Sequence, residues 1–322
     1  MVIAGDLFET HRPGDALVRS VLEQLLRLRE AGVHVITTPG NHDEITYANS
    51  VYHAYADGWP GMLVMNPTTE HVGSLTVGGE RVHVYSLAYT GGITPAHAPI
   101  GDFPKQEEPG FHLAVFHGTL GTGDARSLPL DRGALGSAGY DYVALGHIHL
   151  PSETTLGRTP VVYSGCQEGK GFDDPGVPHW TVVEVAGERV KVTREPLAVQ
   201  PITVHELDLT PLDTVAEVEE AILALACSDT LMRVRLTGSL HFLLDAENLE
   251  GRFQRAFYHL EVRDESDAIS EELLRTWAAE RTIRGVFVKR MWDELKRSGT
   301  EAERQRVTRA LRYGVRALRA QA

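Results

Sequence analysis

The sequence predicts an α/β protein with a small α+β cap and a helical C-terminal segment. Short apolar runs alternate with helical patterns over about the first two hundred residues, which is typical of α/β folds. Beyond about Glu195 the elements become a short series of strands and helices, and from Ser270 onward only helical periodicity remains. We therefore expect a main domain over 1–198, a cap over 199–268 and a helical segment over 269–322.

The main domain contains five apolar runs with the length and composition of buried strands. They span 2–4, 33–36, 82–85, 113–116 and 142–145. Between the first two runs, residues at helical spacing predict a helix that Gly32 ends; they are Val18, Val21, Leu22, Leu25, Leu26 and Arg29. Four of the five strands lead directly into polar clusters that begin at Gly5, Gly40, His117 and Gly146. Ligands in open α/β sheets bind at the carboxyl ends of strands, so these clusters can converge on one site.

The remaining segments have simpler patterns. In the cap we expect strands over 202–209, 231–236 and 258–263 and helices over 213–226 and 246–256. In the C-terminal segment, helical periodicity predicts helices over 271–280, 285–297 and 301–319. The last helix has an apolar stripe formed by Val307, Ala310, Leu311, Gly314, Val315 and Leu318, with Arg306, Arg309, Arg312, Arg316 and Arg319 largely around it. This stripe either packs on its own domain or binds a partner.

Composition excludes several classes of protein. The net charge of −13 argues against coating nucleic acid by bulk attraction, although residues 270–322 carry 13 basic side chains against seven acidic ones. The sequence contains neither a long apolar segment nor a signal-peptide pattern, so we expect a cytoplasmic protein. The two cysteines, Cys166 and Cys227, are far apart, which predicts neither a disulfide framework nor a thiolate zinc site. Metal ions would then be bound by His, Asp and Asn.

The polar clusters contain the residue types that bind divalent metals. Asp6 can bridge two ions with its two carboxylate oxygens, and Asn41 offers a neutral carbonyl oxygen. The imidazole nitrogens of His117, His147 and His149 complete a set that could hold two ions about 3.5–4 Å apart. By contrast, we interpret His11, His53, His83 and His241 as surface or structural histidines.

The order of these motifs resembles that of the calcineurin-like metallophosphoesterases. The matching strings are Gly5-Asp6, Gly40-Asn41-His42-Asp43, the lone His117 before Gly118, and Gly146-His147-Ile148-His149. Within that superfamily the chain is most similar to the SbcD/Mre-type DNA repair nucleases and their YhaO-like branch. The resemblance implies a metallophosphoesterase β-sandwich flanked by helices. It also implies a metal-dependent exonuclease or endonuclease that hydrolyses phosphodiester bonds in DNA.

The resemblance assigns a role to each matching residue. Asp6 would bridge two ions, Asn41, His117 and His147 would complete one ion, and His149 would bind the other. His42 would not be a ligand but would face the scissile phosphate, either stabilising its charge or protonating the leaving oxygen. Asp43 would orient His42 or cap the following turn. Manganese is the expected metal.

The resemblance also implies partners, and other functions stay open. DNA is the expected substrate, an SbcC/Rad-type coiled-coil ATPase would bind the C-terminal segment, and a homodimer is compatible with the family. The alternatives are a calcineurin-like phosphatase, a cyclic-nucleotide phosphodiesterase, or a catalytically impaired scaffold subunit of an SbcC-like complex.

One family motif does not occur in this sequence. Members of the family have a first strand that ends in Asp-x-His, and no such string occurs anywhere in the 322 residues. We therefore expect that the first strand of the sandwich is missing, that Met1 is an internal methionine of a longer protein, and that one of the two metal sites is incomplete. Upstream sequence encoding Asp-x-His would test this expectation.

Overall fold

The computed structural model describes residues 1–91, 99–121, 127–187, 189–197, 199–238, 244, 246–266 and 271–319. His241 lies outside the described residues, as do the side chains of Arg309, Arg312, Arg316 and Arg319 in the predicted tail. The chain forms two units, one comprising Met1–Gly169 and Gly176–Val199 and the other comprising Lys170–Pro175 and Gln200–Ala322. The domain boundaries at residues 198 and 268 stay predictions.

The described part of the first unit is built mainly from strands, with three α-helices. Its strands are β1 (Val2–Ala4), β2 (Ile36–Thr38), β3 (Met62–Leu63), β4 (Glu70–Val77), β5 (Glu80–Ser86), β6 (Phe111–His117), β7 (Thr119–Leu120), β8 (Pro129–Leu130), β9 (Tyr142–Gly146), β10 (Ser152–Leu156), β11 (Thr159–Tyr163), β12 (His179–Ala186) and β13 (Arg189–Pro196). Its helices are α1 (Asp15–Glu30), α2 (Val51–Tyr55) and α3 (Arg132–Ser137).

Two sheets of the first unit pack face to face. One is a parallel sheet in the order β1-β2-β3, and the other has six strands in the order β10-β11-β9-β6-β5-β4. Apolar side chains from both sheets share one core, in which Ile36 packs with Val84, Leu113 and Val115. The outer face of the small sheet is covered by α1, and the outer face of the large sheet is covered by α3. The predicted α/β sandwich flanked by helices is therefore confirmed.

The second strand begins three residues later than its apolar run predicts. Val33 is still part of the end of α1, because its N–H donates to the carbonyl of Leu28. Parallel pairing with β1 starts at Ile36, which lies opposite Val2. The strand expected over 33–36 is therefore wrong in its boundaries, because Val33, the first residue of the apolar run, belongs to the end of the helix. Gly32, with φ of 81°, takes the left-handed conformation that ends α1, as expected.

The second unit contains a small α/β sheet and three C-terminal helices. Its elements are β14 (Ile202–Asp208), α4 (Val215–Leu223), β15 (Leu231–Thr237), α5 (Ala246–Phe253), β16 (His259–Asp264), α6 (Glu271–Ala278), α7 (Ile283–Arg297) and α8 (Glu301–Arg319). The three strands are parallel in the order β14-β15-β16, and α4 and α5 cover one face of that sheet. No helix in the part of the chain described here is long and apolar enough to cross a membrane.

The apolar stripe of the last helix packs within its own segment. Leu311 and Val315 are buried in a core with Leu274, Trp277 and Val288, which belong to α6 and α7. The stripe therefore has an internal packing role in the three-helix segment.

Candidate metal centre

The candidate site lies where four strands end, two from each sheet of the sandwich. Asp6 follows β1 and Asn41 follows β2, while His117 is the last residue of β6 and His147 follows β9. The strands β1 and β2 are parallel neighbours, as are β6 and β9. Face-to-face packing of the two sheets brings the four carboxyl ends together. The predicted convergence of the polar clusters is observed for these four residues.

Ligand atoms of these four residues lie within hydrogen-bonding distance of one another. The Nε2 atom of His117 is 2.8 Å from Oδ1 of Asn41 and 3.3 Å from Oδ2 of Asp6. The Nδ1 atom of His147 is 2.9 Å from the same Asn41 oxygen. The side chain of His117 is 2% exposed and that of Asp6 is 14% exposed. The cluster therefore lies mostly below the surface.

The hydrogen-bond partners of His117 indicate what this cluster can hold. Its Nδ1 atom lies 2.8 Å from the backbone carbonyl of Ala4, which can only accept, so Nδ1 carries the hydrogen. The other ring nitrogen, Nε2, faces two oxygens that are themselves acceptors, those of Asn41 and Asp6. Facing lone pairs repel unless a positive charge lies between them, either a second proton or a metal cation. A carboxylate, an amide oxygen and imidazoles suit a borderline divalent cation, and a fixed second hydrogen bond is usual for histidine ligands. The residues present therefore fit a divalent metal.

Two of the four residues have backbone conformations that are unfavourable for side-chain-bearing residues. Asp6 has φ of 53° and His147 has φ of 90°, and they are the only residues other than glycine with positive φ among the described ones. Such conformations cost about 1–3 kcal/mol each and persist where the surrounding structure imposes them. Both residues belong to the cluster, so the strain is concentrated at the candidate site.

Two motif glycines allow the loops to approach closely enough. A Cβ on Gly40 would lie 2.2 Å from Oδ1 of Asp6, and a Cβ on Gly146 would lie 1.8 Å from the Ala4 carbonyl oxygen. Either contact would force the loops apart. The glycine before Asn41 and the glycine before His147 therefore set the spacing of the cluster.

Asp43 connects two of the site loops. Its Oδ1 accepts from the backbone N–H of Gly40 at 2.6 Å, and its Oδ2 accepts from the backbone N–H of Phe8 at 3.1 Å and from the Tyr52 hydroxyl at 2.6 Å. Asp43 and Tyr52 are both fully buried. The three donors fix the loop that contains Asp6 relative to the loop that contains Asn41. The proposed interaction of Asp43 with His42 is not among these three hydrogen bonds.

The two other histidines predicted for the site are His42, which directly follows Asn41, and His149, which lies two positions after His147. The backbone N–H of His42 donates to Oδ1 of Asp6 at 2.9 Å, while its imidazole is 40% exposed and lies 3.6 Å from the Glu9 carboxylate. His149 is half-buried, and its carbonyl accepts from the N–H of Cys166 at 3.0 Å. The assignment of His149 as a ligand of the second ion stays a prediction.

Electrostatics differ between the two carboxylates. Burial raises the pKa of Asp6, but a hydrogen bond and the charge of His117 in its protonated form, together with the N–H and the charge of His42, outweigh burial and hold the pKa below its usual value. Burial dominates at Asp43 and raises its pKa, with the nearby Asp6 charge adding to this and the Tyr52 hydroxyl opposing it. The pKa of Tyr52 is raised well above 10 by burial and by Asp43, which keeps the phenol a hydrogen-bond donor.

Sequence reasoning missed three contributors to this site. Glu9 is adjacent to the Gly-Asp motif and could have been suspected from its position beside Asp6. Tyr52 and the Ala4 carbonyl carried no signal, because a tyrosine on a short helix and a backbone oxygen in a strand are common features. Only the three-dimensional arrangement identifies them.

Comparisons with known proteins identify a family for the first part of the chain. Residues 1–151 match the family described as calcineurin-like phosphoesterase. The chain is 29% identical to the DNA double-strand break repair protein Mre11 of Methanopyrus kandleri over 181 residues, which are 53% of this chain and 40% of that protein. It is 24% identical to the uncharacterized metallophosphoesterase YhaO of Bacillus subtilis over 189 residues, covering 58% of this chain and 45% of that protein.

A third relative matches over a longer part of the chain. The DNA double-strand break repair protein Mre11 of Halobacterium salinarum is 23% identical over 252 residues, covering 77% of this chain and 62% of that protein. The chain thus spans less than two thirds of the length of each of these three relatives. The first 151 residues contain all of the clustered ligand atoms, and this part of the chain is a calcineurin-like metallophosphoesterase domain, of a family of metal-dependent hydrolases.

Proposed function

We propose that this chain is a metal-dependent phosphodiesterase that hydrolyses DNA during repair, with two divalent ions, preferentially manganese. The observation that carries the proposal is the convergence of the Asp6, Asn41 and His117 ligand atoms, because such a set of oxygen and nitrogen atoms suits a divalent cation. The names of the Mre11 relatives support DNA as the substrate. The chain's net charge of −13 also favours metal ions over a broad basic surface for binding phosphate.

The residues of the cluster take different parts in this proposal. Asp6, Asn41, His117 and His147 would hold one ion, and Asp6 and His149 would contribute ligands to the second, incomplete site. Divalent ions supply Lewis-acid charge to the phosphoryl oxygens and a water nucleophile at neutral pH. The Ala4 carbonyl keeps His117 in the tautomer that presents Nε2 to the ion.

His42 is the proposed general acid. Its imidazole is 40% exposed, so a substrate can reach it, while its backbone is fixed by the bond to Asp6. Glu9 lies 3.6 Å from Nδ1 and can orient the ring, which leaves Nε2 to donate a proton to the leaving oxygen. Asp43 supports this arrangement indirectly, because it holds the loop on which His42 lies.

A coiled-coil ATPase that binds the C-terminal segment is the proposed protein partner. The segment folds around its own core, so a partner would contact the exposed side chains of that segment. Two of these are Ile283 and Val286 on α7, which are 77% and 69% exposed. Replacing both by glutamate should abolish co-purification with the partner and leave metal-dependent hydrolysis unchanged. Unchanged co-purification would contradict this surface.

Hydrolysis of matched substrates with and without manganese tests the proposed function. We expect cleavage of linear DNA and of a small chromogenic phosphodiester with Mn²⁺, and loss of both with a chelator or in Asn41→Ala. A variant outside the site, Asn66→Ala, should retain both activities. Faster turnover of a phosphomonoester or a cyclic nucleotide than of DNA would favour the phosphatase or cyclic-nucleotide alternative. Stoichiometric metal without any hydrolysis would favour a scaffold role.

A further inference from the structure

Two aromatic rings stack on each other on the loops that supply the metal cluster. His11 lies five residues after Asp6, and Tyr47 lies five residues after His42. The ring centroids are 4.2 Å apart, with an angle of 25° between the planes. The loops after β1 and β2 thus carry cluster residues at their beginnings and this aromatic pair farther along.

The stacked pair is held firmly but remains accessible. The carbonyl of His11 accepts from the N–H of Val51 at 2.8 Å, and the carbonyl of Tyr47 accepts from the N–H of Ser50 at 2.9 Å. These backbone bonds fix the two positions independently of the rings. Tyr47 is nevertheless 48% exposed, whereas the neighbouring Tyr52 is fully buried. A large aromatic ring in a fixed position with an open surface is suited to binding a flat ligand.

We infer that His11 and Tyr47 form a stacking platform for a nucleobase next to the scissile phosphate. This inference rests on the proposed function, because it assigns a base-binding subsite to the same active site. A base that stacks on the exposed side of Tyr47 would extend the existing His11–Tyr47 stack. Every base has an aromatic face, so the platform tolerates different sequences while it positions the chain next to the metals.

Energetics make a base the most suitable occupant. Stacking of a base on an aromatic side chain contributes about 1–3 kcal/mol, which corresponds to about a 5- to 150-fold effect on binding. A phosphate has no flat apolar face and would gain little from two stacked rings. The stack would therefore contribute to DNA binding without requiring a basic surface.

Fluorescence of an oligonucleotide containing 2-aminopurine tests the platform directly. In buffer with Ca²⁺, we expect wild-type protein to quench the fluorophore when it lies next to the scissile position. Tyr47→Ala should weaken this binding about tenfold, and Tyr47→Trp should restore it. Tyr313→Ala is the matched control, because Tyr313 is a 67% exposed tyrosine of α8, and it should bind like wild type.

Cleavage of abasic substrates separates a binding subsite from a structural stack. With Mn²⁺, Tyr47→Ala should lower kcat/KM about tenfold on normal DNA, and a single abasic nucleotide beside the cleavage site should remove that difference. An equal loss on normal and abasic DNA would overturn the inference and leave the stack a structural contact. Absence of quenching in wild type would also overturn it.

The binding experiment does not depend on turnover. If wild-type protein bound and quenched the oligonucleotide but cleaved no DNA, the proposed function would fail and the platform would stand. If it cleaved DNA and Tyr47→Ala changed neither binding nor kcat/KM, the platform would fail and the proposed function would stand.

Discussion

The hydroxyl of Tyr52 donates a 2.6 Å hydrogen bond to the buried carboxylate of Asp43, and both side chains are fully excluded from solvent. Asp43 in turn accepts from backbone N–H groups on two different site loops, at Gly40 and at Phe8. Tyr52 thus acts on the position of the ligand loops through Asp43. We regard Tyr52 as a positioning residue.

Replacing Tyr52 by phenylalanine should weaken metal binding. Loss of a buried hydrogen bond to a charged group costs about 1.5–3 kcal/mol, and loss of a partner behind metal ligands typically lowers affinity about 10–100-fold. Calorimetric titration with Mn²⁺ measures this directly. Tyr140→Phe is the matched control, because it removes another buried hydroxyl, which donates to the Pro104 carbonyl at 2.8 Å and precedes β9, whereas His147 follows that strand. Equal Mn²⁺ affinity in both variants would contradict the positioning role.

Replacing His42 by alanine should leave metal binding intact and reduce turnover. Its imidazole lies 3.6 Å from Glu9, and only its backbone N–H bonds to the Asp6 carboxylate. Removing a general acid lowers kcat about 10²–10⁴-fold. Elemental analysis and single-turnover rates distinguish the two roles. Loss of bound manganese in this variant would make His42 a ligand instead.

The sequence alone predicted the sandwich and much of the site. Asp6, Asn41, His117 and His147 were identified because rare motif strings follow predicted strands, and strand ends meet at one edge. The start of β2 was misplaced, because an apolar Val33 looks the same in a strand and at a helix end. The strands β10 to β13, within 152–163 and 179–196, were not predicted. Polar and apolar residues are mixed there, and this pattern indicates buried strands less clearly than a continuous apolar run does.

A cluster of histidines lies at the other end of β5 and β6. The rings of His83 and His112 stack with centroids 4.9 Å apart, and His71 lies 5.5 Å from His83. His83 is fully buried, and His112 is 5% exposed. Charged or titratable groups that act on this cluster are Arg81, Tyr85, Lys105, Glu108 and Asp141. Adding protons to these rings would place like charges next to each other.

This cluster predicts that the protein loses stability in mild acid. Burial lowers the pKa of His112, with Lys105 acting in the same direction, and burial and His83 lower the pKa of His71. The unfolded chain therefore takes up more protons than the folded one as pH falls below about 6.5. Each group contributes a slope of up to about 1.4 kcal/mol per pH unit until the lowered pKa is reached.

Urea unfolding between pH 5 and pH 7.5 measures this dependence. His112→Gln removes one titrating group and keeps a side chain that can bond to the Tyr85 hydroxyl, which lies 2.8 Å from Nδ1 of His112. We expect the free energy of unfolding of this variant to fall less steeply with acid. The same slope in the variant and in wild type would exclude His112 as a source of acid sensitivity.

The core of the C-terminal helices predicts the effect of shortening the tail. Leu311 is 1% exposed and packs with Leu274 and Trp277, so Leu311→Ala should destabilise this segment by about 2–5 kcal/mol. Deleting residues 300–322 should expose the same core and lead to proteolysis of α6 and α7. A truncated protein with unchanged protease resistance would show that α8 does not stabilise its neighbours.

Anomalous scattering of manganese in crystals grown with Mn²⁺ locates a bound ion directly. We expect a strong peak bound by Oδ2 of Asp6, Oδ1 of Asn41, Nε2 of His117 and Nδ1 of His147, and loss of that peak in Asn41→Ala. A crystal with Mn²⁺ present but no peak among these four atoms, or with the peak unchanged in the variant, would contradict the central claim that the cluster is a metal site.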